Sequence, residues 1–282
     1  MSASQKILVT GGRGLLAPYL VEAATRLGTV VVSSLSGGDR PCDFTKLDDV
    51  RAILRETQPD IVIHSVGLTD VDLCEREPER AFAINCDAVK NLSQSLPSQA
   101  SLVYISTDQV YPDTEGPHSE EEASPINVYG KSKFAGEKSA MAHEDALVLR
   151  TNFFGPSRSA GRKSLSDFVV ENLRAGNKIT LFDDVYFSPL HMSHLGHYIV
   201  ECLKRKITGI YNLGCREGAT KADFSFAAAA HLGLQTETAS IGASDQIFDR
   251  APRPKDLRMA VSALEKKLGE SMPTLKQEVS LL

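Results

Sequence analysis

Residues 6–17 read KILVTGGRGLLA. The opening KILVT is a short apolar run closed by a turn, the pattern of a buried strand. GGRG follows at once, and LLAPYLVEAATRLG then shows apolar residues at the three-to-four spacing of a helix. Gly11 and Gly14 let the backbone turn and leave room for a pyrophosphate to approach the helix N-terminus, where unpaired N–H groups and the dipole favour an anion. Ala17 stands where a small residue lets helix and strand pack closely. Gly-rich turns alone are common; the strand before and the helix after are what make this loop informative.

Outward from this stretch the same alternation repeats. TVVVSSL (29–35), DIVIHSV (60–66), SLVYIST (101–107) and ALVLRT (146–151) are short, rich in Val and Ile, and bounded by turn residues. LDDVRAILRETQ, EPERAFAINCDAVKNLSQSL and YGKSKFAGEKSAMAHE carry helical spacing between them. Strand, helix, strand repeated this often predicts an α/β fold, a Rossmann-type doubly wound parallel sheet with helices on both faces. After about residue 151 the pattern loosens. SLSDFVVENLRAG, KADFSFAAAAHLGL and AVSALEKKLG read as helices, KITLFDD and GIYNLG as strands, and 236–258, with Pro252 and Pro254, as loop. The expected organisation is a dinucleotide-binding domain over 1–150, with segments of 185–215 returning to it, and a smaller substrate-binding lobe over 151–282.

The chain has 282 residues, enough for one large domain or two small ones, and 42% of them are hydrophobic, enough for a real core. A formal net charge of −5 argues against nucleic acid or an anionic membrane surface as partner. An anionic ligand must then be held locally, by helix N-termini and a few Arg or Lys side chains. The five cysteines, at 42, 74, 86, 202 and 215, form no CxxC pair. That pattern points to a reducing compartment and away from a disulfide framework or a zinc site. KILVT is too short for a signal-peptide core, and no apolar run approaches the ~18 residues of a membrane span. A cytoplasmic protein is expected. A homodimer is admitted by the sequence but not specified by it.

An NAD site usually has an acidic residue at the end of the second strand, where it binds the ribose 2′-OH. Here that region reads VVVSSLSGGDR, with no carboxylate before Asp39, while Arg13 sits in the glycine loop and Arg40 follows the strand. Missing acid and available arginines favour a 2′-phosphate, hence NADP(H) ahead of NAD(H). The alternative is a solvent-exposed Arg13 and an indifferent site.

Tyr129 and Lys133 are four apart, so a helix puts both on one face. A free tyrosine, with a pKa of about 10, is a sluggish proton donor or acceptor near neutrality, and a nearby ammonium lowers that value. YxxxK alone is a weak motif. However, YISTDQVYP (104–112) ends an apolar strand with Ser106, Thr107 and Asp108. In an open parallel sheet ligands bind beyond the carboxyl ends of the strands, so Thr107 and the glycine loop should face one crevice. A Thr107 hydroxyl there reaches the oxygen that Tyr129 protonates.

The glycine loop, STDQVYP and YGKSK, in this order and spacing, resemble the extended short-chain dehydrogenase/reductases, and within them the dTDP-4-dehydrorhamnose reductase group. CDFTKLDDV (42–50), GLTDVDLCEREPERAFAIN (67–85), PINVYGKSKFAGE (125–137) and RPKDLRMAVSALEKKLG (253–269) extend the likeness over almost the whole chain. The resemblance implies NADPH-dependent reduction of the 4-keto group of a nucleotide-linked deoxysugar. It makes Tyr129 the catalytic acid, Lys133 its support and the holder of the nicotinamide ribose, and Thr107 the group that orients the carbonyl. Leu15 joins Gly11, Arg13 and Gly14 at the cofactor, Asp43 and Phe44 lie by the adenine, Ser65, Gly67 and Thr69 line the cofactor, and Asn85 supports that side of the site. Thr107, Asp108 and Arg253 are the candidate substrate contacts.

Related sugar-nucleotide dehydratases carry an Asp-Glu pair after the strand-end threonine. Gln109 follows Asp108 here and cannot serve as that second acid/base group, which favours reduction over elimination. Where reductases of the group often have a tryptophan after RT, this chain reads RTNFFG and has no tryptophan at all. The same motifs fit a non-catalytic regulatory subunit of the methionine adenosyltransferase beta type, and a nucleotide-sugar epimerase with tightly held NAD. His191, His194 and His197 fan too widely on a helix for an easy metal site and read as structural. HSEEEAS (118–124) reads as a solvated acidic loop, with a Mg²⁺ site as the lesser reading. Arg250, Arg253 and Arg258 are either exposed or a diphosphate clamp.

Overall fold

A computed structural model of the protein describes residues 4–246 and 250–282. β1 (Gln5–Thr10) runs into the glycine loop and α1 (Ala17–Ala24). β2 (Gly28–Ser34), the short β3 (Arg40–Pro41), α2 (Leu47–Thr57) and β4 (Ile61–His64) follow. α3 (Val71–Arg76), α4 (Pro78–Phe82) and α5 (Ala88–Ser95) lead to β5 (Ser101–Ile105), and α6 (Val128–Ala140) to β6 (Ala146–Thr151). The stretch 77–96, which the spacing predicts as one helix, is broken. A π-helical turn over Ala83–Asp87 separates α4 from α5.

The second half starts with β7 (Phe153–Phe154), α7 (Leu165–Arg174), β8 (Ile179–Phe182), β9 (Tyr186–Phe187) and β10 (Leu190–His191). α8 (Met192–Lys204) and β11 (Gly209–Leu213) come next, then β12 (Ala219–Thr220), α9 (Lys221–His231), β13 (Ala239–Gly242), β14 (Asp256–Leu257), α10 (Ser262–Leu268) and α11 (Leu275–Val279). The stretch 236–258, expected as loop, thus contributes β13 and β14, which pair with β8 and β9. Residues 247–249 of that stretch lie outside the described residues. Capping boxes start several of these helices: Ser164 with Asp167, Thr220 with Asp223, Thr274 with Gln277. Each satisfies N–H groups that a helix start leaves open.

The main sheet has seven strands in the order β11-β6-β5-β4-β1-β2-β3, all neighbours parallel. Strand alternation splits its apolar residues between two cores. Ile7, Val9 and Ile63 pack with Leu20 of α1 and Leu195 and Ile199 of α8; Leu8, Val62 and Leu102 pack with Ile53 of α2 and Leu92 of α5. Each fully buried side chain of this kind contributes about 1.5–3 kcal/mol. Strand order reverses between β1 and β4, so a crevice opens at their carboxyl ends. The second half builds its own core from Phe154, Phe187, Phe224, Leu257, Met259 and Val279 over that crevice. Among the described residues, no helix is long and apolar enough to cross a membrane.

Candidate active site

α6 carries the candidate pair, Tyr129 and Lys133. Asn127 caps it, its Oδ1 accepting from Gly130 N at 2.7 Å, and its Nδ2 donates to Pro252 O at 3.0 Å and to Gln109 Oε1 at 3.1 Å. Gly130 is required by close approach: a Cβ there would lie 2.2 Å from Gln109 O. The helix start is thereby pressed onto the turn after β5, where Thr107 and Asp108 stand. Thr107, Asp108, Tyr129 and Lys133 are all buried and line one cleft of about 480 Å³, together with Gly14, Leu15, Ser65, Gly67 and Thr69.

Burial raises the Tyr129 pKa above its ordinary value, the Thr107 hydroxyl beside it working the other way and Asp108 adding to the rise. The sequence predicts a lowering by the lysine. The structure turns that ammonium elsewhere: Lys133 Nζ donates to Ile105 O at 2.7 Å and lies 4.1 Å from the centre of the Tyr104 ring. Desolvation pushes Lys133 down to about 7, with Glu137 opposing. Thr107 Oγ1 accepts from Gln109 N and donates to Asp108 Oδ1, both at 3.2 Å. Asp108 is pushed up to about 6 by burial, against the hydrogen bond from Asn152 Nδ2 at 2.7 Å and the charge of Lys221.

A buried shell holds these groups. Glu137 and Arg150 form an ion pair, 2.7 Å between Oε2 and Nη2, with both side chains out of water. Ser106 Oγ donates to Glu137 Oε1 at 2.5 Å, which ties α6 to the end of β5. Asn85, in the π-turn, bonds Leu68 N, Leu68 O and Ser132 Oγ at 2.8, 3.0 and 2.9 Å. Gly136 admits Asn85 O and the Tyr104 hydroxyl, which a Cβ would meet at 2.2 and 2.5 Å.

A second cleft, about 310 Å³, is lined by Gly11, Arg13, Gly14, Ser34, Ser36, Ser65 and Gly67 and by Arg162 from the second half. Gly11 has φ +74°, and a Cβ there would lie 2.9 Å from Ser65. Only backbone can form this wall, as a closely approaching pyrophosphate requires. Arg13 Nη1 reaches Ser36 Oγ at 2.9 Å across the loop after β2. Asp43 and Phe44 are placed apart from both clefts. Asp43 Oδ1 accepts from Thr45 N and Oγ1 at 3.1 and 2.6 Å, and Phe44 packs in the core, 5.4 Å from the His64 ring. Arg253 lines the larger cleft but is tied to Asp72 by two bonds, Nη2 to Oδ2 at 2.8 Å and Nη1 to Oδ1 at 3.1 Å.

Several lining residues carry no motif of their own: Asn152, Arg162, Lys163 and Lys221. Asn152 lies in RTNFFG, where the departure from the resembling group was the only signal. HSEEEAS is only in part a solvated loop: Glu121, Glu122 and Ser124 are exposed, but its first half is engaged. His118 is buried, stacked 4.9 Å from the Tyr111 ring, and Glu120 Oε1 accepts from Asn212 N at 2.9 Å. His191 caps α8, with its Nδ1 accepting from Ser193 N at 3.2 Å, and His194 Nδ1 meets Glu278 Oε1 at 2.5 Å. Among the described residues, no His, Cys, Asp or Glu cluster is arranged to hold a metal ion.

The family model described as the RmlD substrate binding domain matches residues 5–282. A dTDP-4-dehydrorhamnose reductase of Mycolicibacterium smegmatis is 31% identical, over 89% of this chain and 76% of its own. A probable low-salt glycan biosynthesis reductase of Haloferax volcanii is 29% identical, over 97% and 96%. The methionine adenosyltransferase 2 subunit beta of Xenopus laevis is 27% identical, over 96% and 85%. Among solved structures, a hypothetical dTDP-4-dehydrorhamnose reductase from Sulfolobus tokodaii superposes with a TM-score of 0.83 at 28% identity, over 93% of this chain and 94% of that one. That of Bacillus anthracis, in complex with NADP, superposes at 0.88 and 22% identity over 98% of each.

Proposed function

The chain belongs to the RmlD substrate binding domain family, and from that premise we infer that it is an NAD(P)H-dependent reductase of the 4-keto group of a nucleotide-linked deoxysugar. The observation that carries the reading is the convergence of Thr107, Tyr129 and Lys133 on one cleft that the glycine loop also enters. NADP(H) is favoured over NAD(H) because Ser34, Leu35 and Ser36, not a carboxylate, line the cleft beside Arg13. The residues fit such a cofactor: Gly11 and Gly14 for the pyrophosphate, Arg13 and Ser36 for a 2′-phosphate, Lys133 for the nicotinamide ribose. When bound, the nicotinamide supplies the hydride.

The chain's own residues supply position and a proton. Thr107 holds the ketone oxygen beside the Tyr129 hydroxyl, and Tyr129 gives its proton as negative charge develops on that oxygen. Its raised pKa keeps the proton in place across the neutral range. Lys133, shifted close to neutrality, responds to whatever anionic group enters beside it. Gln109, at the turn where a second acid would stand, offers an amide, which suits reduction and not elimination. The second half of the chain supplies Asn152, Arg162, Lys163, Lys221 and Arg253 to the same cleft.

Purified protein should oxidise NADPH when given nucleotide-linked 4-keto-6-deoxysugars, and dTDP-4-dehydrorhamnose is the first to try. The beta-subunit relative in Xenopus laevis motivates a second reading, a binding subunit without turnover. Cofactor binding without oxidation for any sugar in the panel would select it.

A further inference from the structure

Two chambers meet at one throat. The inner, about 480 Å³, contains Thr107, Tyr129 and Lys133; the outer, about 240 Å³, lies in the C-terminal lobe against Phe182, Val185, Ser244 and Pro254. Gln109, Lys221 and Arg253 line both. The two cations at the throat differ in their partners. The Arg253 guanidinium is neutralised by Asp72, which also accepts from Ala251 N at 2.8 Å. The Lys221 ammonium, among the described residues, has no hydrogen bond and no ion pair. Asp108 and Asp184 are the carboxylates that act on it, and both are engaged elsewhere. Asp108 receives Asn152 and Thr107; Asp184 pairs with Lys255 at 2.9 Å and accepts from Ser244 N and Oγ, each at 2.9 Å. The backbone under Lys221 is fixed, its N–H donating to Val185 O at 2.9 Å just after the Thr220 cap.

Lys221 is half-buried, and a cation partly withdrawn from water without a counter-ion is a ready partner for an anion. We propose that Lys221 is the residue that receives the diphosphate of the nucleotide sugar, at the throat between the two chambers. The proposal rests on the nucleotide-sugar reading above. If the sugar reacts in the inner chamber and the nucleoside sits in the outer one, the diphosphate is what must cross the throat. Arg253 is assigned the lesser part of holding α3 to the segment 251–254, through Asp72.

Isothermal titration of the whole protein with dTDP, UDP and GDP, each beside its nucleoside, tests this. Wild type should bind at least one diphosphate more tightly than its nucleoside. Lys221→Met should weaken that diphosphate about ten- to a hundredfold, leave the nucleoside and NADPH unchanged, and Lys221→Arg should restore most of the loss. Wild-type affinity in Lys221→Met, a parallel loss of NADPH or nucleoside binding, or a wild type that prefers no diphosphate would each overturn the assignment. A wild type that shows the expected titrations but oxidises no NADPH with any keto sugar would overturn the reductase reading and leave Lys221 in its role.

Discussion

The Tyr129–Lys133 corner buries its lysine and the throat half-buries Lys221, and the two are built in opposite ways. At the corner the groups around Tyr129 meet fixed partners: Lys133 the Ile105 carbonyl, Ser106 the Glu137 carboxylate, Asn85 the Ser132 hydroxyl. These partners come from the sheet and from helices packed on it. At the throat the partners are remote in the chain, Asp72 with Arg253 and Asp184 with Lys255, and one ammonium is left over. The corner is complete as a folded object, whereas the throat is completed by a ligand. A catalyst must be pre-organised before it reacts, and a substrate grip need only be ready to pair.

The sharpest test of that contrast is stability. Arg150→Met leaves the buried Glu137 carboxylate alone under the corner, and should cost about 3–5 kcal/mol in denaturant unfolding. A loss under about 1 kcal/mol would mean that the corner is not locked by this pair. Next in size, Tyr129→Phe should lower turnover by about 10²-fold or more with NADPH affinity unchanged, because the ring keeps its packing and only the proton is removed. Wild-type turnover would sink its role as acid.

pH separates the two regions further. With Lys133 near 7, kcat/KM for reduction should fall as pH rises through about 7 and the ammonium is lost; Tyr129, raised, keeps its proton over that range. A flat profile would remove Lys133 from the step. The Asp72 carboxyl is held down to about 2, first by its hydrogen bonds from Arg253. A depressed acid stabilises above its unfolded pKa and loses that contribution as pH falls through the folded one. Asp72→Asn should therefore cost a partly exposed pair's modest value, about 0.5–1 kcal/mol, at pH 7 and down to about pH 4, and the cost should fade as pH falls through about 2. Smallest of all, Arg13→Ala should weaken NADPH severalfold more than NADH, read by titration of both cofactors into both proteins; equal effects would return Arg13 to solvent.

What was legible in the sequence follows the same division. The parallel sheet and the Thr107, Tyr129, Lys133 set stand in contiguous motifs, because strand ends and one helix turn put neighbours in sequence next to each other in space. Glu137 lies in the quoted FAGE, but its meaning depends on Arg150, which only β6 brings to it. The π-turn at 83–87 left no mark, since its residues have ordinary helical character. HSEEEAS reads as solvated until Asn212 N–H is seen to donate to Glu120, 92 residues away, and the His118 ring to meet Asp256 O, 138 residues away. Lys221 had no motif, and its charged neighbour in sequence, Asp223, is taken up by the Thr220 cap.

The π-turn has one more consequence, for the chain as a string that evolution or an engineer can lengthen and shorten. A π-turn holds an extra residue compared with an α-turn. Deleting one of residues 83–87 other than Asn85 would remove that extra residue and let the backbone relax into a continuous α-helix, with the side chains beyond the cut close to their present phase relative to α4. A deletion at Lys90, inside α5, has no such slack: it would turn every later side chain of that helix by about 100° and take Leu92 off the core it shares with the sheet. The chain can therefore lose a residue at the π-turn more readily than in the α-helix that follows, where substitutions spare the phase and deletions do not.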